Sequence, residues 1–203
     1  MILALGLPSN GEMRTETALS IMIALLNLKK RGPDVVIIAN QSCMIHTNRE
    51  RTMADAVKCH ADYLIFVDTD MAFTGEAFEK LLDHLEAGCA VVGANYYQRR
   101  FPPRTVTRML DGDEIPPHER TELFEVAGLG CGLMGIDMKI VPGLKRPWFF
   151  YEPFVEGETT PKSEDIWFCD RAREAGFKIW CDPTIEVKHI GAFAYGPPPK
   201  GDT

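Results

Sequence analysis

"YLIFVDTDMAF" (residues 63–73) sets five apolar or aromatic residues ahead of two aspartates spaced one apart. Tyr63 to Val67 has no polar alternation, the pattern of a strand buried on both faces in a parallel sheet covered by helices. Asp68 and Asp70 therefore project to the same side of an extended chain, about 7 Å apart. Two carboxylates at the mouth of a buried strand repel each other unless something positive lies between them. Capping a turn before a helix near Thr74 would account for them without function. A divalent cation answers the repulsion directly, with oxygen ligands completed by a phosphate-bearing substrate.

Outward from this stretch, the first half alternates strand and helix. Strands are expected at 2–7, at "DVVIIAN" (34–40), at 63–67 and at "CAVVGANYY" (89–97). The turn residues Pro8-Ser9-Asn10-Gly11 close the first. Helices are expected over 15–29, with Ala18, Ile21, Met22, Leu25, Leu26 and Leu28 on or beside one face, over 49–60, with Met53, Ala56, Val57 and His60 sharing a side, and over 75–87. This βαβαβαβ series implies a doubly wound parallel sheet with right-handed crossovers. The second half is more mixed. "RTVTRML" (104–110), "ELFEVAG" (122–128), "GLMGID" (132–137), "FKIWC" (177–181) and "IEVKHIG" (185–191) read as strands, Ser163 to Ala175 as a helix, and the Pro/Gly-rich end as a tail. The expectation is one α/β domain.

The chain has 203 residues, enough for one sizeable core. Its net charge of -7 argues against a general nucleic-acid surface, and no apolar run reaches membrane-spanning length. The six scattered cysteines include no CxxC pair, which excludes zinc ribbons and disulfide scaffolds and suggests buried thiols in a reducing cytoplasm.

A second acidic pair lies in "PKSEDIWFCDRAREAGFKIW". Ser163 is a natural N-cap, placing Glu164 and Asp165 in the first helical turn, where acids are also favoured by the helix dipole alone. Ile166, Cys169 and Ala172 would carry the buried stripe. In "TIEVKHIG", alternation puts Ile185, Val187 and His189 on one face, so His189 points where core residues point, at a strand end.

Acid pair, helix-opening acids and late strand-end histidine, in this order, resemble the GT-A-fold nucleotide-diphospho-sugar glycosyltransferases. The likeness is to small family-2-like enzymes common in phage and viral genomes, and it runs through "TNRERTMADAVKCHADYLIFVDTDMAF", "SEDIWFCDRAREAGFKIWCDP" and "VKHIG". It implies a single GT-A (Rossmann-like) α/β domain over 1–194, with a mostly parallel central sheet flanked by helices. Residues 1–100 would form the nucleotide-binding half, 101–194 the more mixed acceptor half, and 195–203 a flexible tail. The resemblance also implies roles. Asp70 would hold Mn2+ or Mg2+, Asp68 would meet the ribose and the metal's water shell, and His189 would be a further ligand or a diphosphate contact. Asp165 would be the general base and Glu164 would orient the acceptor. Pro8, Ser9, Asn10, Asn40 and Thr69 would border a UDP- or GDP-sugar. Arg49 matches an arginine usually followed by asparagine, whereas Glu50 follows here. The acceptor would be a hydroxyl, on a glycan by default, and in-line attack would invert configuration.

"GCGLMG" (130–135) matches GxGxxG literally, but it does not follow the first strand and no long helix follows it. Gly130 and Gly132 are read instead as letting backbone approach sugar or acceptor. Arg99, Arg100, Arg104 and Arg108 form either a solvated loop or phosphate or acceptor contacts. Trp148, with Phe149, Phe150 and Tyr151, belongs either to a core cluster or to a sugar-stacking face. Two rival functions stand beside the transferase. One is a haloacid-dehalogenase-type phosphatase using Asp68 and Asp70, although its DxD belongs on the first strand. The other is a nucleotide-sugar-binding module without turnover.

Overall fold

A computed structural model describes residues 1–113, 115–153 and 161–191, together with the backbone of 194–195. The chain runs β1 (Ile2–Gly6), α1 (Thr15–Leu28), β2 (Asp34–Ile38), α2 (Ile45–Lys58), β3 (Tyr63–Val67), β4 (Met71–Phe73), α3 (Ala77–Glu86) and β5 (Val91–Ala94). It continues with β6 (Phe124–Val126), β7 (Leu133–Asp137), α4 (Glu164–Glu174), β8 (Ile179–Asp182), β9 (Val187–Ile190) and β10 (Ala194–Tyr195). Seven strands form the central sheet in the order β2-β1-β3-β7-β5-β8-β6, and β10-β9-β4 form a small second sheet.

The expected parallel series holds for β1, β2 and β3, and for β5 beside β8. Between β3 and β5, however, the chain inserts β7, antiparallel to both. The second half of the sequence thus supplies a central strand, and the two expected halves share one sheet. All five residues of β3 are buried, as the uninterrupted apolar run requires. One face of the sheet packs Leu3, Leu5, Ile65 and Val92 with α1 and α3. The other packs Ala4, Leu64 and Phe66 with α2, Phe149 and Phe168 of α4.

Several expectations are corrected. "RTVTRML" makes only isolated bridges, Tyr97 to Thr105 and Arg108 to Gly128. The Thr105 and Thr107 hydroxyls both donate to Asn95 Oδ1, a side-chain alternative to a strand ladder. On α1, Met22 and Leu26 are exposed, while Thr17, Ser20, Ile21, Ala24 and Leu28 turn inward. On α2, Val57 is exposed, and His60 lies past the helix end in the left-handed region at φ 54. Phe168 rather than Ile166 carries the buried stripe of α4 and stacks on Phe149, ring centroids 4.8 Å apart. The tail expected over 195–203 lies outside the described residues, apart from the backbone of Tyr195 in β10.

Candidate active site

The carboxyl ends of β1, β2 and β3 share one edge of the sheet, and the loops that follow them open a cleft there, as is usual for α/β sheets. A lobe of about 390 Å3 is lined by Pro8, Ser9, Asn10, Asn48, Arg49, Asp68, Thr69, Asp70, Tyr96, Arg99, Glu164, Asp165 and His189. A second, of about 440 Å3, shares Asn10, Thr69, Asp70 and Arg99 and adds Glu12, Met13 and Arg14. Volumes of this size suit a small ligand.

The two aspartates of the opening stretch do not stay on one extended strand. β3 ends at Val67, Asp68 to Asp70 form a turn closed by the Met71 N–H on the Asp68 carbonyl at 3.3 Å, and β4 begins. The turn gives each carboxylate its own partners. Asp68 accepts from Arg49 Nη2 on both oxygens, at 3.0 and 3.1 Å. Asp70 Oδ2 lies 3.1 Å from Arg99 Nη1 and 3.3 Å from His189 Nε2. His189 is aimed by its other nitrogen, 3.0 Å from the Tyr97 carbonyl, and β9 brings it to Asp70 by pairing with β4, Met71 opposite His189.

Arg49 is the hub. Only 3% of its side chain is exposed, and besides Asp68 it donates from Nε to Glu164 Oε1 at 3.0 Å and from Nη1 to the Cys131 carbonyl at 3.1 Å. Glu164 is buried against it. Burial raises the pKa of both Asp68 and Glu164, and the Arg49 charge offsets part of that rise. Burial also pulls Asp70 upward, but the hydrogen bond and charge of His189, with the charge of Arg99, hold it below the usual carboxylate value. Asp70 thus owes its charge to His189 and Arg99, while Asp68 relies on Arg49.

Asp165 lies at the mouth of α4, half-buried in the cleft. Its Oδ1 accepts from the Ser163 hydroxyl and, at 2.8 Å, from the Ile166 N–H. These bonds fix the side chain at the helix start, where Ser163 makes no side-chain cap of its own.

Other expected residues fall elsewhere. Asn40 donates to Thr52 Oγ1 and Asp55 Oδ2, at 3.2 and 3.3 Å, which turns its amide toward α2. Asn48, which sequence reasoning passed over, ties the loops after β1 and β2 by donating to the Ser9 and Ser42 carbonyls. Gly130 and Gly132 are buried under Tyr96, and a Cβ on Gly132 would meet that ring at 2.7 Å. Tyr96 Oη accepts from the Gly132 N–H, and it is the tyrosine that lines the cleft. Arg100 is exposed outside the cleft lining. Arg108 pairs with Asp170 on α4. Trp148 and Phe149 are buried, and Trp148 lines a separate apolar groove with Val57, Met138 and Leu144. Glu50, standing where the resembled family usually has asparagine, accepts from Arg146 and from the Trp148 and Phe149 N–H groups.

By sequence, no protein-family profile matches the chain and no curated protein does. Solved structures do. A197 from STIV matches at TM-score 0.66 and 20% identity, covering 94% of this chain and 86% of that one. A mutant of Drosophila β-1,4-galactosyltransferase 7, in complex with manganese, UDP-Gal and xylobiose, matches at TM-score 0.54 and 13% identity, covering 94% and 71%. The fold is of the GT-A type. At such identities the likeness concerns the backbone; the chemistry rests on the side chains of this chain. For a divalent cation they offer two neighbouring candidate ligands. They are the Asp70 carboxylate and the His189 imidazole, whose Oδ2 and Nε2 lie 3.3 Å apart. Asp68, with both oxygens on Arg49, would reach a cation only through water. Among the described residues no three His, Cys, Asp or Glu side chains cluster as a ready-made metal cage.

Proposed function

We propose that this protein is a metal-dependent glycosyltransferase that moves a sugar from a nucleotide-diphosphate donor to an acceptor hydroxyl with inversion. The observation that carries this reading is the convergence of Asp70, His189 and Asp165 in one cleft beyond the carboxyl ends of β1 to β3. The GT-A fold supports it, as does a structural neighbour that binds manganese, UDP-Gal and xylobiose.

In this reading Asp70 and His189 hold Mn2+ or Mg2+, which when bound supplies Lewis-acid stabilisation to the departing diphosphate. Arg99 exchanges Asp70 for a donor phosphate oxygen, so that its charge stays in the cleft while its partner changes. Pro8, Ser9, Asn10 and Thr69 border the nucleoside of a UDP- or GDP-sugar. Asp165 takes the proton of the acceptor hydroxyl, a contribution of about 10²–10⁴-fold for a positioned base. Glu164 acts at one remove: through Arg49 it holds Asp68 and the strand end that carries Asp70. The acceptor is a glycan hydroxyl. Engagement of both Asp68 oxygens by Arg49 disfavours the phosphatase reading, which needs a free nucleophilic carboxylate on that strand end.

Titration calorimetry with UDP and GDP, with and without Mn2+, followed by donor-turnover assays, tests the assignment. Asp70→Ala is expected to abolish Mn2+-dependent binding. Asp165→Asn is expected to keep binding and lose at least about 100-fold in transfer. Unchanged Mn2+-dependent binding by the Asp70 variant would remove the metal role. Full transfer by the Asp165 variant would remove the base. Wild-type binding with no donor turnover under any acceptor condition would return the non-catalytic reading.

A further inference from the structure

From Thr17 to Leu28, α1 carries no charged side chain. A surface helix ordinarily sets a charged or polar face against solvent. Here Leu19, Met22, Ile23 and Leu26 are 53%, 59%, 51% and 67% exposed. Beside them the sheet is bare as well. Val35 and Ile37 stand in register with Leu3 and Leu5, on the face that α1 covers farther in, yet they are 36% and 57% exposed. Together these six side chains expose on the order of 600 Å2, at the top of what a monomer leaves uncovered and most of the ~800 Å2 that one partner brings to a stable interface.

The adjoining sheet edge is open too. Among the described residues β2 pairs only with β1. The Asp34 N–H donates to the Met1 carbonyl and the Ile38 carbonyl accepts from the Leu7 N–H, so residues 34, 36 and 38 address β1. The N–H and C=O groups of Val35 and Ile37 therefore face outward. "DVVII" contains no lysine or proline to blunt such an edge.

We infer that a second copy of this chain covers this surface, in a two-fold dimer whose β2 strands pair antiparallel about Val36. In that register Val35 of each copy meets Ile37 of the other as a hydrogen-bonded pair, and their β-branched side chains pack across the strands. A two-fold axis perpendicular to the sheet keeps both α1 helices on the same face, one on either side of the paired β2 strands. Antiparallel pairing sends the carboxyl ends of the two sheets in opposite directions, leaving both clefts open. A lipid surface fits less well. The stripe has no aromatic residue, its N-terminal flank carries Glu12 and Glu16 beside Arg14, Arg31 of the basic run Lys29-Lys30-Arg31 at its other end is already paired with Asp83 and Glu86, and the chain carries a net charge of -7.

Sedimentation equilibrium of the intact chain at micromolar concentration is expected to give twice its 22.7 kDa. Met22→Glu with Leu26→Glu, and separately Ile37→Lys, change only exposed positions. Each is expected to keep the circular dichroism of the parent while weakening self-association at least about 100-fold, through like charges set against each other across the axis. A wild-type monomer throughout, or a dimer indifferent to both variants, overturns the inference. A monomer that co-sediments with anionic phospholipid vesicles assigns the surface to a membrane and overturns it equally.

Discussion

Arg49 joins three segments that are far apart in the chain: α2, the end of β3 and the start of α4. Its neighbours Asp68 and Glu164 are ionisable groups whose burial disfavours their charge, and its guanidinium makes that charge tolerable. A buried pair of this kind is worth little against apolar residues of the same shape, but removing one member strands the other. Arg49→Met is therefore expected to lower unfolding free energy by about 3–5 kcal/mol, measured by urea denaturation, and adding Glu164→Gln should restore part of the loss. An Arg49→Met variant as stable as the parent would show that the two acids find other partners. The residue scale also explains the departure at Glu50, whose carboxylate organises residues 146–149 instead of lining the cleft.

Between α3 and β8, a second buried acid behaves in the opposite way. Asp182 is 4% exposed, and burial alone would raise its pKa, but hydrogen bonds from His84, at 2.8 Å, and from Thr184 hold it below the ordinary value of 3.8. A carboxylate with a depressed folded pKa lends stability above its unfolded pKa, and that stability is lost as pH falls through the folded value. Asp182→Asn is expected to flatten the acid limb of the stability curve below about pH 4, read from urea midpoints over a pH series. An acid limb as steep as the parent's would assign the loss to other carboxylates. Asp68 and Glu164, with raised values, work in reverse: their contribution is present below the ordinary carboxylate range and fades as pH rises through their folded values. At the same scale, Cys169 and Cys181 are pushed up to about 12 by burial, which keeps these thiols protonated; the expected burial holds for Cys131, Cys169 and Cys181, whereas Cys59 and Cys89 are half-buried and Cys43 is exposed.

Across the whole molecule, β7 is the strand on which the sheet depends. It lies between β3 and β5, and Gly93 of β5 permits the approach, because a Cβ there would come within 2.8 Å of the Leu133 carbonyl. A fragment of residues 1–100 would leave β3 and β5 without their shared neighbour. It is expected to show no cooperative thermal transition by circular dichroism, and a sharp transition would mean that the first half folds alone. Much was nevertheless legible in the chain. Tyr63–Val67 declared a doubly buried strand, Ser163 the position before a helix, and Val187 and His189 one strand face, because side-chain period and helix-start preference are local properties. That strand begins at Val187, however, and leaves Ile185 in the preceding bend. By itself, then, the sequence determined most of the elements, the α/β class and the acids and histidine that could meet at a strand-end cleft. Only the tertiary structure decided that β7 runs antiparallel through the middle. It likewise decided that Asp68 and Asp70 part at a turn to meet Arg49 on one side and Arg99 with His189 on the other, that Asn48 rather than Asn40 ties the loops at the cleft, and that α1 leaves an apolar stripe uncovered. Each of these is a contact between residues distant in the chain, set by how the layers pack, and no local pattern carries that information.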